Sequence, residues 1–231
     1  MPQTTLTLIS SMATKALLAD LVAAFAQQHP DTTVAVTSVG GVDAAKRVVA
    51  GEAFDIVALA SDAIAKLAAS GHVVADTRAD LVHSAVVVAV PASAPVPDIT
   101  TEAALKAAVL AAPTLGYSTG PSGVQLAALF ERWGIAQEIA PRIVTPPPGT
   151  SVGSLVAKGE VALGFQQLSE LLHVPGIQIV GPLPPAIQIT TTFSAGVGTH
   201  SQQVDAARAL LAYLASPAAA DAKRKQGMEP A

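Results

Sequence analysis

Four segments of the 231-residue chain set small polar residues after an apolar, β-branched run and before a helix-forming one. They are Ser10-Ser11, Gly40-Gly41-Val42-Asp43, Ser118-Thr119-Gly120-Pro121-Ser122-Gly123 and Gly149-Thr150-Ser151. A turn of this kind leaves the first backbone N–H groups of a helix unpaired at the positive end of its dipole, and hydroxyls add directional donors, so each is a candidate anion site. For any one turn the competing role is plain helix capping, which Ser and Thr perform widely. Four such turns in one chain favour a shared ligand, because open parallel sheets collect ligands outside the carboxyl ends of their strands. The candidate ligand-binding residues are therefore Ser10, Ser11, Gly40, Gly41, Val42, Ser118, Thr119, Ser122, Gly123, Thr150 and Ser151. Lys15, about one turn into the first helix, adds a cation within reach of an anion, against a role as a solvated surface lysine. Gln166 and Gln167, read as a turn after a strand, add amide donors for a carboxylate, against ordinary loop polarity.

Proton transfer has few candidates. His83, at the start of a Val-rich run, is one, because an imidazole titrates near neutrality; a hinge histidine bonded to backbone is the alternative. Asp43 is the other, although an acid at a helix N-terminus is favoured by the dipole alone and is a weak base unless desolvated. Arg47 falls further along its helix and reads as surface packing. His29, His72, His173 and His200 lie beside turn residues without ligand spacing, and the chain has no cysteine, so no metal site is expected. No phosphate-binding Gly-x-x-x-x-Gly-Lys loop or Gly-x-Gly-x-x-Gly turn occurs, and no cofactor is expected.

The elements that must hold these residues alternate between strand and helix. Hydrophobic residues make up 51% of the chain, charged ones only 13% and aromatics 3%, with a net charge of −4. Disorder and a disulfide scaffold are excluded, and the core must be built from Ala, Val, Leu and Ile. Only Lys223, Arg224 and Lys225 cluster as cations, so nucleic acid is not an expected partner. The uncharged Leu171 to Val204 stretch is broken by Pro175, Pro182, Pro184 and Pro185 and reads as strands and turns, not as a membrane span.

Strands are expected at Leu6 to Ile9, Thr33 to Val39, Asp55 to Leu59, His83 to Val90, Thr114 to Ser118, Ile143 to Thr145 and Val161 to Phe165. Helices fall between them, one capped by Ser61 and ended by Gly71, and another opening on a Ser122-x-x-Gln125 capping box. Val204 to Leu214 and Pro217 to Gln226 close the chain as helices. Crossings at His83 to Val90 and Ile187 to Val197 divide it into lobe I, residues 1–82 and 190–231, and lobe II, residues 83–189. The fold class is α/β, two lobes, each a mostly parallel sheet flanked by helices.

Ile9-Ser10-Ser11-Met12, Gly40-Gly41 before Ala45-Lys46-Arg47-Val48, Phe54-Asp55-Ile56-Val57 with Ser61-Asp62, and Gly71-His72-Val73 resemble the first lobe of molybdate-type periplasmic binding proteins. Leu81 to Pro91, Ala209 to Pro217 and the Gly227-Met228 end extend the resemblance over nearly the whole chain. It implies a type II periplasmic-binding-protein fold with two connecting strands and an anion held in the cleft between lobes by hydroxyls and backbone N–H groups. Of the family's ligand hydroxyls Ser11 carries over. The usual serine of the second turn and tyrosine after the late strand are replaced by Gly40-Gly41-Val42-Asp43 and Gly164-Phe165-Gln166-Gln167, which weighs against molybdate. The Tyr117 to Gly123 turn and Gly164 to Leu168 resemble instead a side branch that includes aconitate isomerase, which implies a tricarboxylate ligand and an allylic proton shift.

Three readings stay open: a small-anion binding protein serving an ABC permease, an isomerase of that branch, and a cytoplasmic ligand sensor. The start at Met1-Pro2-Gln3-Thr4-Thr5 shows no cationic leader or cleavage site, so a periplasmic location requires that a leader was removed, and a native Met1 implies the cytoplasm. A monomer with a small anionic ligand is expected.

Overall fold

Two periodicities build the molecule. Stretches such as Leu6 to Ile9 and Ile56 to Leu59 pair into parallel strands, and stretches with apolar residues on one helical face, such as Leu17, Leu18, Leu21 and Phe25, cover them. The computed structural model describes residues 4–147 and 150–231; Gly149 of the fourth polar turn lies outside the described residues.

In chain order the elements are β1 (Thr4–Ser11), α1 (Lys15–Gln28), β2 (Thr32–Val39), α2 (Gly41–Val49), β3 (Ile56–Ala60), α3 (Ser61–Ala69) and β4 (Ala79–Pro91). There follow α4 (Glu102–Ala111), β5 (Leu115–Tyr117), α5 (Pro121–Arg132), α6 (Ala136–Ile139), β6 (Ile143–Val144), α7 (Val152–Ala157), β7 (Leu163–Gln167), α8 (Leu168–Leu171) and β8 (Ile177–Pro182). The chain ends with β9 (Thr190–Val197), α9 (Val204–Ala215), α10 (Ala220–Lys225) and β10 (Glu229–Pro230). It divides into two compact units, one running to Ser84 and including Thr192–Ala231, the other Ala85–Thr191. The boundaries fall inside β4 and β9, the two strands shared by the units. This is the two-lobe type II periplasmic-binding-protein fold.

In lobe I, β1 is flanked by β2 and β3, both parallel to it, and β9 runs antiparallel to β3. Leu6 and Leu8 of β1 face a core shared with α1 and α9, while Ile9 faces Ala44, Val48 and Ile64 of α2 and α3. Strict alternation then sends Ser10 to the α1 side and Ser11 to the α2 side. Gly71 ends α3 with a left-handed φ of +77°, as its position after the last apolar turn predicts. Ser61 is not the cap expected: it is the first residue of α3, and the cap position is held by Ala60 without a side-chain bond.

In lobe II, β7, β5 and β6 are parallel and β4 pairs antiparallel with β7 and β8. Phe165 of β7 joins the core under α4 and α5, so Gly164 and Gln166 face α7. A Cβ on Gly164 would come within 2.6 Å of Val156 and one on Gly116 within 2.8 Å of Val161, and without them α7 and the chain after it pack close on the sheet. Two sequence expectations change here. Ser122 does not cap α5; the cap position is Gly120 and Ser122 sits inside the first turn. Gln166 and Gln167 are not a turn but the buried end of β7, where tertiary partners bond both amide nitrogens. Lys223, read as one of three clustered cations, is only 1% exposed, and burial lowers its pKa.

Candidate functional site

Each lobe carries its own cluster of polar groups at the carboxyl ends of its parallel strands. In lobe I the cluster centres on the last two residues of β1. Ser10 is fully buried and its Oγ lies 2.8 Å from the Ser38 Oγ, its register partner on β2. Ser11 is 6% exposed, and among the described residues its Oγ has no hydrogen-bond partner. A buried hydroxyl left unpaired costs about 1–3 kcal/mol, so it marks a place where a further group is wanted. The first residue of α2 lies directly against it: a Cβ on Gly41 would fall 3.7 Å from the Ser11 Cβ. The cap position of that helix, Gly40, has no side chain, and the first intrahelical bond runs from the Ala44 N–H to the Gly40 carbonyl at 2.9 Å. The N–H groups of Gly41, Val42 and Asp43 are therefore the helix's open donors. A hydroxyl and a helix N-terminus side by side suit an anion.

Asp43 and Lys15 stand at the edge of this cluster. Both are exposed, and the Asp43 carboxylate lies 4.0 Å from the Lys46 ammonium one turn on. Arg47 forks onto Glu52 on the surface and lies 5.4 Å from the Phe54 ring, so it serves packing. His83 is exposed on β4, with Nδ1 2.9 Å from the Thr192 hydroxyl and Glu229 as its register partner.

In lobe II the turn after β5 is sealed onto α5. A Cβ on Gly123 would sit 1.6 Å from the Ser118 carbonyl oxygen, so only glycine fits, and the Ser118 and Ser122 hydroxyls are 3.3 Å apart. Pro121 opens the helix and has no N–H, which leaves Ser122 and Gly123 to offer theirs; Thr119 flanks them, exposed. The start of α7 is occupied from within. The Ser151 Oγ accepts the Ser154 N–H at 3.1 Å, the Gln166 Oε1 accepts the Gly153 N–H at 3.2 Å, and the Thr150 N–H donates to the Pro147 carbonyl. Ser151 acts here as a helix cap.

The two glutamines on β7 have distinct settings. Gln167 donates Nε2 to the Thr191 hydroxyl at 2.9 Å and has a buried Oε1 without a partner among the described residues. Gln166 donates its Nε2 to Glu170 Oε1 at 2.8 Å. Glu170 is the group that sequence reasoning missed. Burial pushes its carboxyl up to about 7, and the Gln166 bond opposes this less strongly. One signal was present in the sequence: Glu170 is the sole Asp, Glu, Lys or Arg from Val161 to Val204.

A family model of bacterial extracellular solute-binding proteins matches residues 6–229. The chain belongs to that family. An aconitate isomerase from a Pseudomonas species is 39% identical over 234 residues, covering 99% of this chain and 89% of the relative. The periplasmic molybdate-binding protein of Azotobacter vinelandii superposes with a TM-score of 0.79 at 20% identity, covering 96% of this chain and 98% of that one. The sulfate-binding protein of Mycobacterium tuberculosis superposes with a TM-score of 0.81 at 16% identity, covering 99% and 87%. At such identities these two structures establish the fold of a solute-binding protein and its likeness to oxyanion binders, with no ligand carried over.

Proposed function

We propose that this solute-binding protein takes a small polycarboxylate anion. The observation that carries the reading is the buried, unpaired Ser11 hydroxyl lying against the open N-terminus of α2. An anionic oxygen accepting from both would remove the cost of the orphan hydroxyl and gain the helix dipole. Within lobe II, the N–H groups at α5 and the amides of Gln166 and Gln167 are a separate set of donors of carboxylate-binding type. The replacement of molybdate-type hydroxyls by glycines and glutamines supports a carboxylate over a tetrahedral oxyanion. Delivery to an ABC permease outside the cytoplasm belongs to the same proposal and rests on the family alone.

Calorimetry with molybdate, citrate, cis-aconitate and trans-aconitate tests it. The expected result is heat with the tricarboxylates, and at least a tenfold weaker response in S11A. Heat with molybdate alone would overturn it.

A second reading is isomerisation of the bound tricarboxylate by allylic proton transfer. It is supported by the isomerase relative at 39% identity. Incubation of the protein with trans-aconitate in deuterated water should yield the cis isomer and carbon-bound deuterium. His83 and Asp43 remain proposed proton carriers, tested by His83→Ala and Asp43→Ala; full activity in both removes them from the mechanism.

A further inference from the structure

We propose that Glu170 carries the allylic proton, an inference that rests on the isomerase reading above. Its geometry sets it apart from every other carboxylate of lobe II. α8 begins at the residue after β7 ends, so Glu170 sits at the carboxyl end of a parallel strand, the end at which sheets of this kind offer their functional groups. The elements on which α8 packs through Leu171 are free of charge. Leu171 packs on Val87 and Ala89 of β4 and on Ile177 and Ile179 of β8, and a Cβ on Gly153 of α7 would touch Leu171. Ala85–Pro91, α7, β7 and β8 contain no Asp, Glu, Lys, Arg or His; the ionisable residues flanking them and α8 in the chain are His83, Lys158, Glu160 and His173. A carboxyl with no counter-charge on the elements packed around it has little structural use, since any apolar side chain would pack there at lower cost.

It is nevertheless held in place. The Gly153 N–H donates to Gln166 Oε1, and Gln166 Nε2 donates to Glu170 Oε1. The amide thus connects the N-terminus of α7 to one carboxyl oxygen, fixing the group while its ionisation is governed by burial. A base kept near neutrality is matched to abstraction of a carbon-bound proton at physiological pH.

The step balances within the active site and substrate. A Glu170 oxygen forms an O–H bond to a methylene proton of the tricarboxylate as the C–H bond breaks. The released pair spreads over the three-carbon allyl unit and onto an adjoining carboxylate. The O–H bond then breaks as the proton forms a new C–H bond at the former vinylic carbon, the double bond moves over by one position, and the Glu170 carboxylate is restored. No oxidant, reductant or net proton is needed.

The test follows trans-aconitate by proton NMR in deuterated water, with pH profiles of kcat/KM, for wild type, E170Q, E170D and Q166M, and citrate binding by calorimetry as the control. Wild type is expected to gain activity as pH rises through about 7. E170Q should lose isomerisation and deuterium uptake together by about 10²–10⁴-fold while binding citrate within a few-fold of wild type. Q166M, lacking the bond that holds the carboxyl down, should shift the acid limb of the profile to higher pH, which a merely structural glutamine would not do. Isomerisation in E170Q within tenfold of wild type, or an unmoved limb in Q166M, overturns the role of Glu170 alone. If E170Q fails to fold, E170D and Q166M decide by the same criteria. A wild type that neither isomerises nor exchanges overturns the isomerase reading and this inference with it.

Discussion

Among single residues, Ser11 could be found by spacing and Asp55 and Glu170 could not, and the difference is physical. A serine between a strand and a helix announces itself locally, whereas the use made of a carboxylate depends on what folds around it. Asp55, at 8% exposure just before β3, accepts the Thr7 N–H at 2.7 Å, the Thr7 hydroxyl at 2.9 Å and the Ser201 hydroxyl at 2.6 Å. Those donors lie 48 and 146 residues away along the chain, beyond the reach of any periodicity argument. D55A leaves all three without their acceptor, and the expected loss is about 3 kcal/mol in urea unfolding, with an unchanged m-value. A loss under about 1 kcal/mol would mean that water replaces the carboxylate. Gln166 and Gln167 teach the same lesson, since polar residues at a strand end read as a turn until their bonds to Gly153, Glu170 and Thr191 are seen.

At the scale of elements, most strands and helices were legible from alternation and amphipathic spacing, while the first residues of the helices were not. Spacing points to hydroxyl caps at Ser61 and Ser122, yet the cap positions of α2, α3 and α5 are Gly40, Ala60 and Gly120, none of which can cap with a side chain. Helices that start on small, side-chain-poor residues keep their N–H groups free, at a local cost that a bound anion offsets. G41A separates these two effects. The added methyl has ordinary contact distance to Ser11 and helical backbone, so the fold should be kept or gain up to about 1 kcal/mol. Tricarboxylate affinity should fall, because the methyl lies over the Ser11 side chain beside the open N–H groups; an unchanged Kd would place the anion elsewhere. G123A behaves oppositely. Its Cβ collides with the Ser118 carbonyl, so the β5–α5 turn must move, and both stability and binding should drop.

For the whole molecule, the two-lobe organisation has a consequence for stability. Each lobe has its own apolar cores on both faces of its sheet, and Glu170 belongs to lobe II. Its carboxyl rises from an ordinary 4.5 to about 7 on folding, so between those pH values the native chain holds a proton that the unfolded chain has lost. Stability contributed by this group is therefore fully present below about 4.5 and falls as pH rises to about 7, by at most about 3 kcal/mol. E170Q cannot ionise, so the wild-type curve should drop relative to the E170Q curve across that window and run parallel to it at higher pH. Urea midpoints measured from pH 4 to 8 read the difference, and parallel curves throughout would show that water or a rearrangement relieves the buried charge. If the lobes unfold in separate transitions, only that of lobe II should carry the pH dependence, since linkage acts on the equilibrium in which the proton is released. If they unfold together, the same free energy moves the single midpoint.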